Sequence, residues 1–286
     1  MDRRALLKSG LYALAGAACP ALQADSGKDY DAVVGQPGIG QRDIPAFPSI
    51  AAALAAAPDN AGRPFRIHVG VGRWHEKLLI DKPNIHLIGA HRNGSVLSFD
   101  AAAGMTGPDG KPWGTWGCAS VTVRAPDFRA SNLRIVNDFD YIGNLSAPKF
   151  EVIGPNGAQA VALMLADGND RCVIQNVDII GHQDTLFVES GRSLFRDCRI
   201  SGSVDFIFGA GQAFLDHCDI VSRYRPGKER QGYIAVPSTP ETQPTGLVFS
   251  HCRLQREPEI PDASVALGRA WRPGRQFADG RYGDPT

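Results

Sequence analysis

The sequence is poor in the features that mark membrane, metal-binding and nucleic-acid-binding proteins. Beyond its first 24 residues, no apolar run is long enough to cross a bilayer. Its 6 cysteines form no C-x-x-C motif and no cysteine–histidine spacing of the zinc-binding kind. Lysine plus arginine and aspartate plus glutamate both number 30, so the formal net charge is zero. We therefore expect no transmembrane segment, no structural metal and no general affinity for nucleic acid.

The first residues differ in character from the rest of the chain. The segment MDRRALLKSGLYALAGAACPALQA has an arginine pair, then a short apolar run, then small residues. This layout predicts a twin-arginine signal peptide over residues 1–24, with cleavage near Ala21 or Ala24. Lipid attachment at Cys19 is the weaker alternative, because AGAAC lacks a large aliphatic residue at its start. We expect a secreted or periplasmic protein with a single domain over residues 25–286.

Short apolar strands recur along the chain. Each has a polar residue, an apolar residue or cysteine, a variable polar residue, and then isoleucine or leucine. The pattern occurs in NIHLIG from Asn84, NLRIVN from Asn132, NVDIIG from Asn176, DCRISG from Asp197, HCDIVS from His217 and HCRLQR from His251. The starts are 48, 44, 21, 20 and 34 residues apart. The unit is therefore close to the two short steps, and the longer steps hold two units or an inserted loop.

This repeat has consequences for the fold class. One short strand per ~20 residues, without helical periodicity in between, predicts a solenoid of stacked parallel strands. An antiparallel sandwich is the alternative, but hairpin signals such as Asn-Gly are scarce. The segment from Ser49 to Pro58, SIAAALAAAP, combines helix-forming residues with a serine cap. We expect an all-β solenoid whose N-terminal end is covered by a short capping helix.

Two carboxylates share one register of this repeat. Asp184 lies eight residues after Asn176, and Asp205 lies eight residues after Asp197. In strands stacked about 4.8 Å apart, the two would be neighbours in space. Two close carboxylates tend to share a proton, which leaves one as an acid and the other as a base or nucleophile. The alternative is a structural stack of hydrogen-bonded aspartates.

Two cysteines share another register. Cys198 and Cys218 each follow the first residue of a repeat, one unit apart. Because export permits disulfides, we expect a bond between them, and a stack of buried free thiols is the alternative. Cys118, Cys172 and Cys252 have no partner that the pattern assigns.

The residues around the aspartates resemble those of a known family. GHQDTLF from Gly181, SGSVDFIFGAG from Ser201 and LGRAW from Leu267 resemble three signature blocks of the pectin methylesterases, and GAQAVAL from Gly157 resembles a fourth. The blocks follow the family's order, and the resemblance covers residues 35–286. GYIAVPSTPETQPTGLVFSHCRL is more similar to the bacterial than to the plant branch. The resemblance implies a right-handed single-stranded parallel β-helix.

The resemblance also implies an activity and a role for each matching residue. Asp205 resembles the nucleophile that attacks a galacturonate methyl ester. Asp184 resembles the general acid and base. Gln183 and Gln159 resemble the donors of an oxyanion hole. Arg269 resembles the residue that hydrogen-bonds the nucleophile.

Three aromatic residues complete the implied site. Trp271 resembles the residue that packs on a sugar ring, and Phe208 and Phe187 are candidates for lining the substrate pocket. Core packing is the alternative for both phenylalanines, and Phe187 stands where the family often has tyrosine. The implied substrate is methyl-esterified homogalacturonan, with no cofactor, and we expect a monomer.

The chain departs from the family at its C-terminal end, and alternative functions remain to be considered. It stops at FADGRYGDPT, whereas relatives in the bacterial branch continue for several tens of residues, so we expect a C-terminal truncation. One rival is an esterase or thioesterase with a substrate other than pectin. Another is a noncatalytic polysaccharide-binding β-helix. A lyase or glycosidase would need calcium ligands or an acid pair in another context, and a serine triad lacks its G-x-S-x-G motif.

Overall fold

The computed structural model describes residues 30–35, 43–145, 153 and 157–271. Residues 1–24, for which the sequence predicts a signal peptide, lie outside this part of the chain. None of the helices described is long and apolar enough to span a membrane.

Three parallel sheets account for nearly all of the regular structure that is described. The first sheet contains β1 (Ala32–Val34), β2 (Ala46–Phe47), β3 (Phe65–Val69), β6 (Ile85–Gly89), β9 (Arg129–Ser131), β12 (Cys172–Gln175), β15 (Arg192–Arg196), β18 (Gln212–Asp216) and β21 (Leu247–Ser250). The second contains β4 (Gly72–His75), β7 (Ser95–Phe99), β10 (Arg134–Asn137), β13 (Asp178–Ile180), β16 (Arg199–Gly202), β19 (Asp219–Ser222) and β22 (Arg253–Arg256). The third contains β5 (Leu78–Ile80), β8 (Val121–Val123), β11 (Leu163–Leu165), β14 (Leu186–Val188), β17 (Ile207–Gly209), β20 (Gly232–Pro237) and β23 (Val265–Gly268).

The chain visits the three sheets in turn, so each coil adds one strand to each sheet. In the second sheet, Asp178 pairs with Arg199 and Arg199 with Asp219, which are the 21- and 20-residue steps of the sequence repeat. The predicted solenoid of parallel strands is therefore confirmed as a parallel β-helix. Five of the six repeat segments contribute strands to the second sheet, whereas NIHLIG forms β6 of the first sheet.

The core follows from the alternation of side chains along each strand. Leu186 and Val188 of β14 belong to the main apolar cluster inside the coil, and Phe187 between them belongs to a second cluster. Successive side chains of a strand point to opposite faces of its sheet, so this second cluster covers the outer face of the third sheet. The outer face of that sheet is therefore an apolar surface beside the turns that precede its strands.

A short helix closes the N-terminal end, as predicted. It spans Ile50–Ala56 (α1), and the Ser49 side chain caps it by accepting a hydrogen bond from the Ala52 backbone N–H. Glu76 accepts the backbone N–H groups of Ile50 and Ala51, each at 2.9 Å. Ile50 and Leu54 join the main core, so the helix covers the apolar interior of the first coils.

Turns between the first and second sheets form a regular column. Asn132, Asn176, Asp197, His217 and His251 occupy this corner in consecutive coils, and all have φ between 51° and 58°. Asparagine and aspartate tolerate this left-handed conformation better than most residues. The Asn176 amide donates to the Asn132 side-chain oxygen at 3.0 Å, so the column also links coil to coil.

The structure has Cys198 and Cys218 as free thiols, so it does not contain the predicted disulfide. They are stacked in adjacent coils, as their register predicts. The two thiols are hydrogen-bonded to each other and not covalently linked. A hydrogen bond with Cys198, together with burial, raises the pKa of the Cys218 thiol.

Candidate active site

Asp184 and Asp205 lie at the same corner in adjacent coils, where the chain passes from the second to the third sheet. Leu186 pairs with Ile207 two residues further on, which fixes the two aspartates in one register. Both have left-handed backbones, with φ of 64° and 53°. The structure therefore brings together the two carboxylates that the repeat predicted to be neighbours, and it holds both in tight turns.

Arg269 is held beside this pair by the strand that precedes it. Its backbone N–H donates to the Ala235 carbonyl of the neighbouring coil at 3.1 Å. Its guanidinium makes a two-pronged contact with Asp205, with Nε 3.1 Å from Oδ1 and Nη2 on Oδ2. The guanidinium also lies over the Tyr233 ring, 5.7 Å from its centroid. This geometry fixes the orientation of the Asp205 carboxylate.

The two aspartates have different electrostatic surroundings. Asp184 is buried, with 7% of its surface exposed. Burial, and then the negative charge of Asp205, raise the pKa of Asp184 well above its usual range, although Arg269 opposes the shift. Hydrogen bonding to Asp205 raises the pKa of Arg269. Burial therefore favours the protonated form of Asp184, while Asp205 beside it is paired with the Arg269 guanidinium.

Two glutamines lie near the aspartates. The Gln183 carbonyl accepts the Ala160 backbone N–H at 3.1 Å, which joins the coils that carry Gln183 and Gln159. The Oε1 atom of Gln159 is buried and has no hydrogen-bond partner. Such an unpartnered buried polar atom is costly and is common where a ligand completes the site. The Gln159 side chain is therefore a candidate for contact with a bound molecule, and Gln183 directly precedes Asp184 in the same turn.

The predicted aromatic residues form one cluster on the outer face of the third sheet. Phe187 and Phe208 stack with their centroids 4.2 Å apart, and Trp271 packs edge-on against Phe208 at 5.5 Å. Trp116 contacts both Phe187 and Trp271, and its indole N–H donates to Glu189 at 2.7 Å. The phenylalanines are buried here and not in the main core. Their position leaves Trp271 and Trp116 as the more accessible rings.

No sequence pattern indicated the role of Trp116, nor the stacking of Tyr141 on His182. Trp116 lies in a long loop outside the repeat, so no register marks it. Tyr141 stacks on His182, with centroids 4.9 Å apart and rings 12° from parallel. Burial, with the positive charges of Arg223 and Arg225, lowers the pKa of His182 to about 3. His182 is therefore neutral at ordinary pH.

This arrangement is suited to acyl transfer. A carboxylate held by a guanidinium can act as a nucleophile, and a neutral carboxyl beside it can supply a proton. Amide N–H groups nearby can stabilise an oxyanion, and exposed indoles can bind the apolar face of a sugar. Among the described residues, the only cluster of metal-ligating side chains lies at a different corner of the coil. Fold and site together define the class as a β-helical hydrolase built around paired carboxylates.

Comparison with known proteins narrows this class to one family. The pectinesterase family model matches residues 31–278, and the chain belongs to that family. It is therefore a carboxylic ester hydrolase. Pectinesterase A of Dickeya dadantii is 43% identical over 268 residues, covering 92% of this chain and 72% of the relative.

Solved structures agree with this assignment. A pectin methylesterase in complex with a hexasaccharide aligns with a TM-score of 0.82 at 43% identity, over 90% of this chain and 75% of that one. The pectin methylesterase of Yersinia enterocolitica aligns with a TM-score of 0.79 at 45% identity, over 84% of this chain and 75% of that one.

Proposed function

We propose that this protein is a pectin methylesterase that hydrolyses galacturonate methyl esters of homogalacturonan to pectate and methanol. The observation that carries the proposal is the pair of aspartates in adjacent coils, one buried and the other held by Arg269. Relatives with the same fold carry this name, and one was solved with a hexasaccharide bound.

In the first step, an Asp205 oxygen attacks the carbonyl carbon of the methyl ester. The guanidinium of Arg269 contacts both Asp205 oxygens and so orients the carboxylate for attack. Negative charge develops on the former carbonyl oxygen, where the side-chain amides of Gln159 and Gln183 donate hydrogen bonds. Removing one such donor in other acyl-transfer enzymes costs about 10²–10³ in kcat.

The tetrahedral intermediate then expels the methoxy group. Asp184 donates its proton to the departing oxygen, so methanol leaves as a neutral molecule. The raised pKa of Asp184 keeps this proton in place at a pH where an exposed aspartate would have lost it. The product on the enzyme is an anhydride between Asp205 and the galacturonate carboxyl group.

The second step regenerates the enzyme. Asp184, now a carboxylate, takes a proton from water while the water oxygen attacks the galacturonyl carbon of the anhydride. The bond to Asp205 breaks, and the Asp205 carboxylate returns to its contact with Arg269. Protons and charges balance over the two steps without a cofactor.

The aromatic cluster is the proposed sugar-binding surface. Trp271 and Trp116 lie 6.4 Å apart between ring centroids and border the two stacked phenylalanines. The face of a pyranose ring is largely apolar, so it packs well on such rings. Phe187 and Phe208 then support the indoles from below.

We also propose that the chain is exported and acts as a monomer. The export proposal is based on the arginine pair and the apolar run within residues 1–24. Expression of the full chain with its twin-arginine pair intact, and with Arg3 and Arg4 replaced by lysine, tests it by the fraction recovered outside the cytoplasm. Sedimentation of the purified protein tests the monomer.

The function is tested by methanol release from highly methylated pectin, with one new carboxylate titrated per methanol. De-esterified pectin is the blank, and simple methyl esters and thioesters are parallel substrates. We expect release from methylated pectin at a rate far above that from the simple esters. Turnover of only the simple esters or thioesters would contradict the pectin assignment and favour another substrate.

A further inference from the structure

A second cluster of chemically capable side chains lies outside the active site. Asp216 ends strand β18, and His217 follows it at the corner between the first and second sheets. His251 occupies the same corner in the next coil, because Ser250 pairs with Asp216 immediately before it. The three residues offer one ligand atom each, and these atoms lie within 4.8 Å of one another.

The distances around Asp216 suit a shared cation. Its Oδ1 atom lies 2.9 Å from Nδ1 of His217 and 3.6 Å from Nδ1 of His251. In a tetrahedral zinc site with bonds near 2.0–2.1 Å, ligand atoms are about 3.3 Å apart. Both measured separations are close to this value, so each histidine nitrogen is within ligand range of Oδ1 of Asp216, and the rings would turn to direct their lone pairs at one ion.

The fold explains why the histidines are in place. Both have left-handed backbones, with φ of 55° for His217 and 51° for His251, like Asn132 and Asn176 at the same corner in preceding coils. Their rings stack with centroids 4.8 Å apart and planes 15° from parallel. The turn therefore sets the backbone, and the coil spacing sets the distance between the rings.

The neighbours of the cluster leave the ligand atoms accessible. Arg196 lies 3.6 Å from Oδ2 of Asp216, which is the oxygen that faces away from the histidine contacts. The Ser250 hydroxyl lies 2.9 Å from Nδ1 of His251 and also hydrogen-bonds Asp216, so it would rotate away when an ion binds. The His217 and His251 side chains are 58% and 72% exposed, so their rings can turn and water can complete the coordination.

From this geometry we propose that Asp216, His217 and His251 bind one divalent transition-metal ion, with zinc as the reference metal. Two imidazoles and one carboxylate suit zinc, copper or nickel, whereas calcium and magnesium prefer all-oxygen sites. The ion would join two successive coils through side chains on either side of a corner. It has no part in the hydrolysis steps, since the aspartate pair lies at another corner.

Binding would increase the thermodynamic stability of the last coils that the structure describes. A ligand that binds only the folded chain shifts the folding equilibrium by the factor 1 + L/Kd, where L is its free concentration, so the shift is about 100-fold at 100 times its Kd. The two coils joined are those of β18 and β21, which are the last two of the first sheet among the described residues. Zinc is therefore expected to raise the Tm of this protein.

The test is calorimetric titration of the full chain with zinc chloride after chelator treatment and dialysis, paired with thermal unfolding. Asparagine is the chosen replacement, because the same column already carries it with the same backbone. We expect one zinc per chain, a higher Tm with zinc, and more than about 10-fold weaker binding in both His217→Asn and His251→Asn. Calcium chloride should give no heat of binding.

A matched control separates this site from ordinary histidine–carboxylate contacts. His75 lies 3.6 Å from Asp100 without a second histidine on that carboxylate, so His75→Asn should bind zinc as the wild type does. Methanol release should be the same with zinc, with chelator and in both ligand variants. Absence of zinc binding at 100 µM, or equal binding by the His217→Asn, His251→Asn double variant, would overturn the proposal.

Discussion

Replacing Arg269 is expected to slow ester hydrolysis while leaving the fold intact. Its guanidinium contacts both oxygens of Asp205, and the Asp205 side chain is only 13% exposed. Hydrogen bonds between charged groups contribute about 1.5–3 kcal/mol each, and the lower end applies because the Arg269 side chain is 39% exposed. Lysine keeps the charge but can reach only one oxygen, so Arg269→Lys loses one such contact.

The expected rate effects follow from these contacts. A loss of ~1.5 kcal/mol in the transition state lowers kcat by about 10-fold, and loss of both contacts in Arg269→Met lowers it by about 100-fold. Arg269→Met should also move the alkaline limb of the pH profile to higher pH. The reason is that the Arg269 charge lowers the pKa of Asp184, the proposed proton donor.

The assay is initial-rate methanol release across pH, with thermal unfolding to show that each variant folds. Arg253 is the matched control, because its guanidinium contacts both oxygens of Asp219 at 2.6 and 2.8 Å on another sheet. Arg253→Met should keep wild-type kcat. Wild-type kcat in Arg269→Met, or an equal loss in Arg253→Met, would show that the Arg269 contact with Asp205 does not support hydrolysis.

Three further outcomes are expected from other positions. The pKa of Asp184 is raised in the folded state, so its contribution to the stability of the fold is complete below its usual pKa of 3.8 and is lost as pH rises through the raised pKa. Asp184→Asn should therefore have a higher Tm than the wild type at pH 8. The same variant should be inactive in methanol release. Gln183→Ala should lower kcat by about 10²–10³ with little change in KM, as a lost oxyanion donor does, and an effect confined to KM would argue against that role. Gly202→Ala places a Cβ 2.3 Å from Cβ of Phe206, so calorimetry should give a Tm that is lower by about 2–4 °C for each kcal/mol of strain. Gly62→Ala is the control, because its Cβ enters open space and its Tm should equal that of the wild type.

The repeat in the sequence predicted the coil, and it did so best where coils have no insertions. The steps of 21 and 20 residues between Asn176, Asp197 and His217 correspond to single coils. The 44-residue step from Asn132 is also one coil, and its extra residues lie between β10 and β11. Hydrophobic alternation marks strands but does not identify the sheet, which is why NIHLIG matched the pattern while lying in the first sheet.

Register predicted the approach of Asp184 to Asp205 but could not predict chemistry that depends on side-chain direction. The Cys198 and Cys218 thiols share a register in the same way, yet they remain free. Trp116 lies in a loop without periodicity, so its contact with Trp271 had no sequence signal. Such features depend on tertiary packing and not on local pattern.

The cluster of Asp216, His217 and His251 also depends on tertiary structure that the sequence pattern did not reveal. His217 and His251 are 34 residues apart, far beyond the spacing of local zinc motifs, so the sequence predicted no metal site. In the structure they are one coil apart at the same corner. Both precede a cysteine in an HC dipeptide, and this shared register was the available signal.

The central claim is that Asp205 attacks the methyl ester, and the most direct test is methanol release by Asp205→Asn. Asparagine has nearly the same shape and tolerates the left-handed φ of 53° at this position. Asp197→Asn is the matched control, because Asp197 has φ of 55° at another corner. We expect a loss of more than about 10³-fold in kcat for Asp205→Asn and none for Asp197→Asn. Methanol release by folded Asp205→Asn within 10-fold of the wild-type rate would contradict the claim.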